Sequence, residues 1–169
     1  LKEGGVAGVK VEGAGEWVLD LVRRLVSAGV PVMGHLGLTP QSVHQLGGYR
    51  MQGRGDEAAR CVRDAARALA DAGAFALVLE LIPATLAGAI RTDLDIPVIG
   101  IGAGADCDGQ ILVFHDVLGI TRNYVPSFVR QYEQLGSRAQ NALECYCRDV
   151  REGVFPAVPG EKEGGGGVS

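Results

Sequence analysis

Three stretches of the sequence end an otherwise apolar run with a side chain that could do chemistry. Lys10 and Glu12 lie two residues apart in "GVKVEG", His35 lies in "PVMGHLG", and Glu80 follows the apolar run of "ALVLE". In a β-strand, residues two apart share a face, so Lys10 and Glu12 point the same way. Charged side chains are seldom buried without a partner or a ligand. The pattern indicates a site assembled from the ends of several strands.

One lysine, one histidine and two glutamates suit the chemistry of an oxo acid. A hard cation such as Mg²⁺ prefers carboxylate oxygens and keeps positions open for substrate and water. A lysine offers a point charge for a carboxylate or an oxyanion. A second carboxylate, off the metal, can take a proton from carbon once a neighbouring carbonyl is polarised. We therefore expect enolate chemistry on an oxo acid.

The elements that must position these residues alternate between strands and helices. Strands are predicted in "VAGVKVEG", "VPVMGHLG", "AFALVLEL", "IPVIGIGAG" and "GQILVFHDVLG". Helices are predicted in "GEWVLDLVRRLVSAG", "LTPQSVHQL", "DEAARCVRDAARALADAG" and "PATLAGAIRTD", with one long helix, or two joined near Gly136, over "PSFVRQYEQLGSRAQNALECYCRDVREG". In the first helix one apolar stripe is expected, formed by Trp17, Val18, Leu21, Val22, Leu25 and Val26.

Continuously apolar strands between amphipathic helices indicate a parallel sheet covered by helices. An open doubly wound sheet and a β/α barrel both fit this α/β pattern. An open sheet usually concentrates its site at one switch point, whereas the polar strand ends here are spread over four strands. This favours a barrel.

Several motifs have a plainer interpretation. "GIGAGADCDG" lacks the G-x-G-x-x-G spacing and is better explained as a tight turn, with backbone close to a ligand, than as a dinucleotide site. A lone histidine is more often a hydrogen-bonded core residue, which is the alternative for His35. His44 and His115 are interpreted as structural or exposed, and the four cysteines as reduced, structural thiols.

Composition narrows the class of protein. The 169 residues suffice for one domain, and the net charge of −4 argues against nucleic acid or an anionic membrane as a partner. The sequence contains no apolar run long enough for a membrane helix and no signal-peptide pattern at its start, so we expect a cytoplasmic protein. Residues 1–157 are assigned to the barrel, and the Gly-rich residues 158–169 are expected to be disordered.

The motifs "VKVEG", "PVMGHLGLTPQSVHQLGGYRMQGR", "ALVLELIP", "IPVIGIGAGADCDGQILVFHDVLGIT" and "REGVFP" closely resemble the ketopantoate hydroxymethyltransferase family, in order from about residue 1 to residue 157. The resemblance implies a (β/α)8 barrel of the pyruvate-kinase/phosphoenolpyruvate superfamily, of which this chain carries about the last five β/α units. It also implies transfer of a hydroxymethyl group from 5,10-methylenetetrahydrofolate to 3-methyl-2-oxobutanoate, giving 2-dehydropantoate for pantothenate and coenzyme A synthesis.

Family roles are carried over to matching positions. Glu12 matches the glutamate at the Mg²⁺ (or other divalent cation) site, Lys10 and His35 match substrate-contacting residues, and Glu80 matches the proton acceptor. The resemblance further implies a homo-oligomer, often a decamer.

The chain also departs from the family pattern. It begins near the end of the helix before the family's fourth strand, so the first three strands, with further metal-binding aspartates, have no counterpart here. We therefore predict that this polypeptide alone is inactive. The alternatives are a lyase or mutase of the same superfamily acting on an oxo acid, and a non-catalytic barrel fragment.

Overall fold

The computed structural model describes residues 3–39, 51–122 and 124–157. The chain divides into two compact units, residues 1–112 and residues 113–169. The predicted helix in "LTPQSVHQL" and the predicted disordered tail at 158–169 lie, apart from Leu38 and Thr39, outside the described residues.

The first unit alternates strands and helices as the apolar patterns predict. Its elements are β1 (Val9–Glu12), α1 (Glu16–Ser27), β2 (Val32–Gly37), α2 (Asp56–Asp71), β3 (Ala76–Glu80), α3 (Ala84–Asp93), β4 (Val98–Ile101) and β5 (Gly109–Gln110). Helix α1 begins at an acidic residue, carries Arg24 in its last turn and is followed by Gly29 at φ 76°. These charges suit the helix dipole, and glycine provides the left-handed residue that commonly terminates a helix.

The five strands form one parallel sheet in the order β1-β2-β3-β4-β5. Each strand pairs with the next strand in the sequence, so the order contains no reversal. A doubly wound sheet requires such a reversal, because its chain returns to the middle before extending the other edge. The sequential order is that of a β/α barrel, and the prediction of an α/β fold consistent with part of a TIM barrel is confirmed.

The two faces of the sheet differ sharply. One face packs against α1, α2 and α3, the three helices that the described residues of this unit form, in a single apolar core of strand and helix residues: Val18, Val22, Val32, Leu36, Ala66, Leu69, Leu77, Leu79, Leu86, Ala87, Ile90 and Val98. The opposite face carries Lys10, Glu12, His35 and Glu80, which alternate with the core residues along the strands. Helices on one face only are typical of a barrel, whose other face lines the interior.

The stripe predicted on α1 is only partly buried. Val18 and Val22 enter the core, whereas Trp17 remains 73% exposed and Leu21 and Val26 lie at the surface. Six apolar positions span more of the helix circumference than one sheet contact can cover, so the stripe prediction was too wide.

The predictions for the carboxyl-terminal elements need two corrections. The fifth strand contains only Gly109–Gln110, and Phe114–Val117 is a short helix, α4, because the carbonyl of Val113 accepts the N–H of Val117. The last helix, α5 (Leu135–Arg151), does not extend back over residues 126–134.

The start of α5 has a physical cause within the second unit. The N–H groups of Tyr132, Leu135 and Gly136 donate to the carbonyls of residues 117–119. These amides are thereby committed to another segment, and a helix extended towards Pro126 would need some of them for its own bonds.

Among the described residues, no helix is both long and apolar enough to cross a lipid bilayer.

Candidate active site

Strand register brings the predicted residues together. Glu12 is directly opposite His35 on the neighbouring strand, and Lys10 lies two residues before Glu12 on the same face. Glu80 is opposite Gly37, two residues beyond the position opposite His35. All four side chains therefore share one face of the sheet near its carboxyl edge, where parallel α/β folds place their sites.

The four side chains form a continuous polar cluster. Nζ of Lys10 lies 3.1 Å from Nδ1 of His35 and 4.0 Å from Oε1 of Glu12. Nδ1 of His35 is 3.8 Å from the same Glu12 oxygen, and Nε2 of His35 is 3.0 Å from Oε2 of Glu80. His35 is thus the centre of the cluster, and its side chain is 2% exposed, whereas those of Glu12 and Glu80 are each 20% exposed.

Two buried atoms of this cluster lack a hydrogen-bond partner among the described residues. They are Oε2 of Glu12 and Nε2 of His35. The His35 atom is close to Glu80, but the pair does not have hydrogen-bond geometry, and we regard the contact as electrostatic rather than as a hydrogen bond. Buried polar atoms without partners are costly, so this pair of atoms is suited to meeting a ligand.

The backbone around Glu80 is tightly constrained. The carbonyl of Glu80 accepts the N–H of Leu38, and Leu81 donates to Ile101 while accepting from Gln52. Leu81 has φ 49°, a left-handed conformation that is unfavourable for leucine. Such strain persists where surrounding contacts enforce it, often beside functional sites. Here it redirects the chain immediately after Glu80.

Gly37 allows the end of β2 to approach the carbonyl group of Glu80 closely. Its φ is 98°, and a Cβ at this position would lie 2.0 Å from the carbonyl oxygen of Glu80. Neither Gly37 nor Leu81 was predicted from the sequence to belong to the site. A glycine at the end of the "GHLG" strand was a detectable signal, whereas nothing in the identity of a leucine predicts a left-handed backbone.

Comparison with known proteins gives the same family as the motifs. A profile described as ketopantoate hydroxymethyltransferase matches residues 1–158. The chain belongs to this family. It is 54% identical over 156 residues to a 3-methyl-2-oxobutanoate hydroxymethyltransferase of Carboxydothermus hydrogenoformans, covering 92% of this chain and 56% of the relative.

A second relative with the same name, from Nitratidesulfovibrio vulgaris (strain DP4), is 55% identical over 157 residues, covering 93% of this chain and 51% of the relative. The chain therefore spans about half the length of the curated relatives it matches. Both printed names are those of a hydroxymethyltransferase, and neither is that of a lyase or a mutase.

A divalent cation would find one suitable ligand in the cluster. Oε2 of Glu12 is buried and free to bind, and carboxylate oxygen is the ligand that Mg²⁺ prefers. Within the described ranges, however, no group of three or more His, Cys, Asp or Glu side chains is placed to hold a metal. The metal assignment of Glu12 thus fits as a single ligand and stays a prediction.

The "GIGAG" turn has a packing role in the fold. Gly102 and Gly104 have φ values of 63° and 83°, and no helix opens directly after them, as the tight-turn interpretation predicted. A Cβ on Gly104 would lie 2.3 Å from Cβ of Ala84 at the start of α3. Close packing against this helix therefore accounts for one of its glycines, and the approach of a ligand to its backbone stays a prediction.

Proposed function

We propose that this chain provides the proton acceptor and the substrate-holding residues of a hydroxymethyl transfer to 3-methyl-2-oxobutanoate, the reaction of pantothenate and coenzyme A synthesis. The observation that carries this proposal is the contiguous cluster of Lys10, His35, Glu12 and Glu80 on one face of the sheet. The cluster supplies the carboxylates of Glu12 and Glu80 and the ammonium of Lys10, and the proposed reaction requires both kinds of group.

Glu80 accepts the proton from C3 of the oxo acid. The C3–H bond breaks and its electron pair forms the new C–C bond to the methylene carbon of 5,10-methylenetetrahydrofolate, while one of the two C–N bonds of that carbon breaks. Water then displaces the second nitrogen and provides the hydroxyl oxygen. The two folate nitrogens take up the proton from Glu80 and one proton from water, so that tetrahydrofolate leaves and the product is 2-dehydropantoate. The strained residue after Glu80 and the hydrogen bond to its carbonyl hold this base in place, since a general base must lie within hydrogen-bond reach of its proton.

Lys10 and His35 hold the substrate. The side chain of Lys10 is 45% exposed, and its ammonium can pair with the carboxylate of the oxo acid while its contact to His35 is retained. A divalent cation bound with the help of Glu12 supplies charge that makes the C3 proton more acidic. The protein is further proposed to act in the cytoplasm as a homo-oligomer.

The test is a chimaera in which residues 1–157 of this chain replace the corresponding part of the Carboxydothermus hydrogenoformans relative. In deuterated water with Mg²⁺, the chimaera should exchange the C3 proton of 3-methyl-2-oxobutanoate, as followed by proton NMR. Glu80→Gln should reduce this exchange by roughly 10²- to 10⁴-fold, the usual contribution of a general base, without abolishing Mg²⁺ binding. Glu16→Gln, at the start of α1, is the matched control. Exchange that is unchanged in Glu80→Gln removes Glu80 from this role.

The 169-residue chain alone is predicted to show no turnover, because no group of three or more His, Cys, Asp or Glu side chains in the described ranges is placed to hold a metal. Purified chain incubated with both substrates and Mg²⁺ tests this directly. Formation of 2-dehydropantoate would show that the ligands present are sufficient.

A further inference from the structure

His35 contacts charged groups through both ring nitrogens, and its protonation pattern decides what it can do. Lys10 faces Nδ1 at 3.1 Å, and Glu80 faces Nε2 at 3.0 Å. Glu12 is the only other charged group that the described structure places against the ring, 3.8 Å from Nδ1. A neutral imidazole carries its proton on one nitrogen and accepts through the other.

We propose that Lys10 is a positioning residue that fixes the tautomer of His35, with the proton on Nε2. A lysine ammonium has three N–H donors and no acceptor, so a hydrogen bond between Lys10 and Nδ1 requires Nδ1 to be unprotonated. A proton on Nδ1 would set two donors against each other at 3.1 Å. Glu12 could not accept a hydrogen bond from a proton on Nδ1, because its Oε1 lies 3.8 Å from that nitrogen, which is too long for a hydrogen bond.

The tautomer determines which ring nitrogen of His35 donates a hydrogen bond and which one accepts. With its proton on Nε2, the ring is a donor on the side of Glu80 and has no free acceptor there. A small rotation of either side chain would convert the 3.0 Å contact with Glu80 into a hydrogen bond, since the distance already allows one. His35 therefore cannot compete with Glu80 for a substrate proton, a consequence that rests on the proposed function. The second and third N–H groups of Lys10 remain for a ligand.

Nitrogen NMR of the chain as it exists tests the tautomer. The chain has three histidines, and replacing His44 and His115 by glutamine leaves His35 as the only ring to observe. In mildly alkaline buffer, long-range proton–nitrogen correlations should show one protonated nitrogen, Nε2, and one unprotonated nitrogen, Nδ1. A proton on Nδ1, or protons on both nitrogens, overturns the proposal.

Three variants then test whether Lys10 is the cause. Lys10→Met should raise the fraction of rings protonated at Nδ1 from undetectable to measurable, whereas Lys10→Arg, also a pure donor, should retain the original tautomer. Arg24→Met removes a positive charge on the exposed side of α1 and should leave the tautomer unchanged. An unchanged tautomer in folded Lys10→Met shows that Lys10 does not fix it. If this variant does not fold, the spectra of the parent chain and Lys10→Arg still decide where the proton is.

The measurement uses no substrate, folate or metal. A wrong tautomer would therefore leave the proposed reaction untested and intact, and a failure of the chimaera to exchange the C3 proton would leave the tautomer assignment standing.

Discussion

The two faces of the five-stranded sheet carry different kinds of residue. On the helix-facing side, Leu77, Leu79 and Val98 are completely buried against α2 and α3. On the other side, Glu80 and Glu12 keep a fifth of their side chains accessible around the buried ring of His35. Neighbouring residues of one strand, such as Leu79 and Glu80, thus belong to different environments.

This difference shows how a strand separates stability from chemistry. Successive side chains point to opposite faces, so each strand provides core residues and site residues from the same few positions. Changes on the helix-facing side should alter the free energy of unfolding, whereas changes of the polar cluster should alter ligand chemistry at little cost in stability.

The largest effect is expected for Leu79→Ala. Removing a fully buried leucine deletes apolar contacts and leaves a cavity, which costs about 2–5 kcal/mol of unfolding free energy. Glu80→Gln, one residue on, keeps the side-chain volume and leaves no cavity, so it should cost distinctly less. Urea unfolding monitored by circular dichroism measures both. Similar losses in the two variants would mean that the faces do not divide these roles.

Gly37→Ala should come next, because it affects both faces at the point where β2 meets β3. The new Cβ would collide with the carbonyl oxygen of Glu80, whereas Gly13, at a similar φ of 83°, has open space around its missing Cβ. Gly13→Ala should cost about 1 kcal/mol for backbone strain alone. Gly37→Ala should cost distinctly more in the same unfolding assay. Equal costs would show that the backbone can relax away from the clash.

A smaller effect is expected at the opposite, amino-terminal end of β4. The Val98 N–H and the Arg91 guanidinium lower the pKa of Asp108 below its ordinary value of 3.8. A carboxyl group with a lowered pKa stabilises the folded chain above the ordinary pKa, and this stabilisation is lost as the pH falls below it.

The difference in stability between the parent chain and Asp108→Asn should therefore be constant near neutrality and shrink below a pH of about 3.8. Thermal unfolding as a function of pH measures it, with Asp106→Asn, two residues earlier, as the control. A difference that does not change with pH would assign the contribution of Asp108 to its shape rather than its charge.

The smallest effect is predicted for Arg24→Met. Arg24 pairs with Asp20 at 2.8 Å across one turn of α1, but both side chains are largely exposed to solvent. Such pairs contribute about 0.3–0.5 kcal/mol, and added salt should weaken this contribution further. A loss above about 1 kcal/mol would mean that α1 depends on more than its buried Val18 and Val22.

Individual elements show why some predictions succeeded and others were wrong. The strands around His35 and Glu80 were predictable because a short apolar run that ends in a polar residue is typical of a strand in a parallel sheet. The strand predicted over residues 109–119 was too long, since the apolar residues after Gln110 suit a strand or a helix equally well. The start of α5 depends on amides bonded to a segment about fifteen residues earlier, which no local pattern reveals.

By itself the sequence determined the family, through its motifs. It also determined the alternation of strands and helices and the four polar residues at the strand ends, because apolar periodicity and residue type are local properties. Only the tertiary structure decided that α1, α2 and α3 cover the same face of the sheet and that Glu12 lies opposite His35. It also decided that Lys10 meets Nδ1 of His35 while Glu80 meets Nε2. These relations depend on strand register and side-chain packing between segments far apart in the chain, and hydrogen-bond direction follows from them.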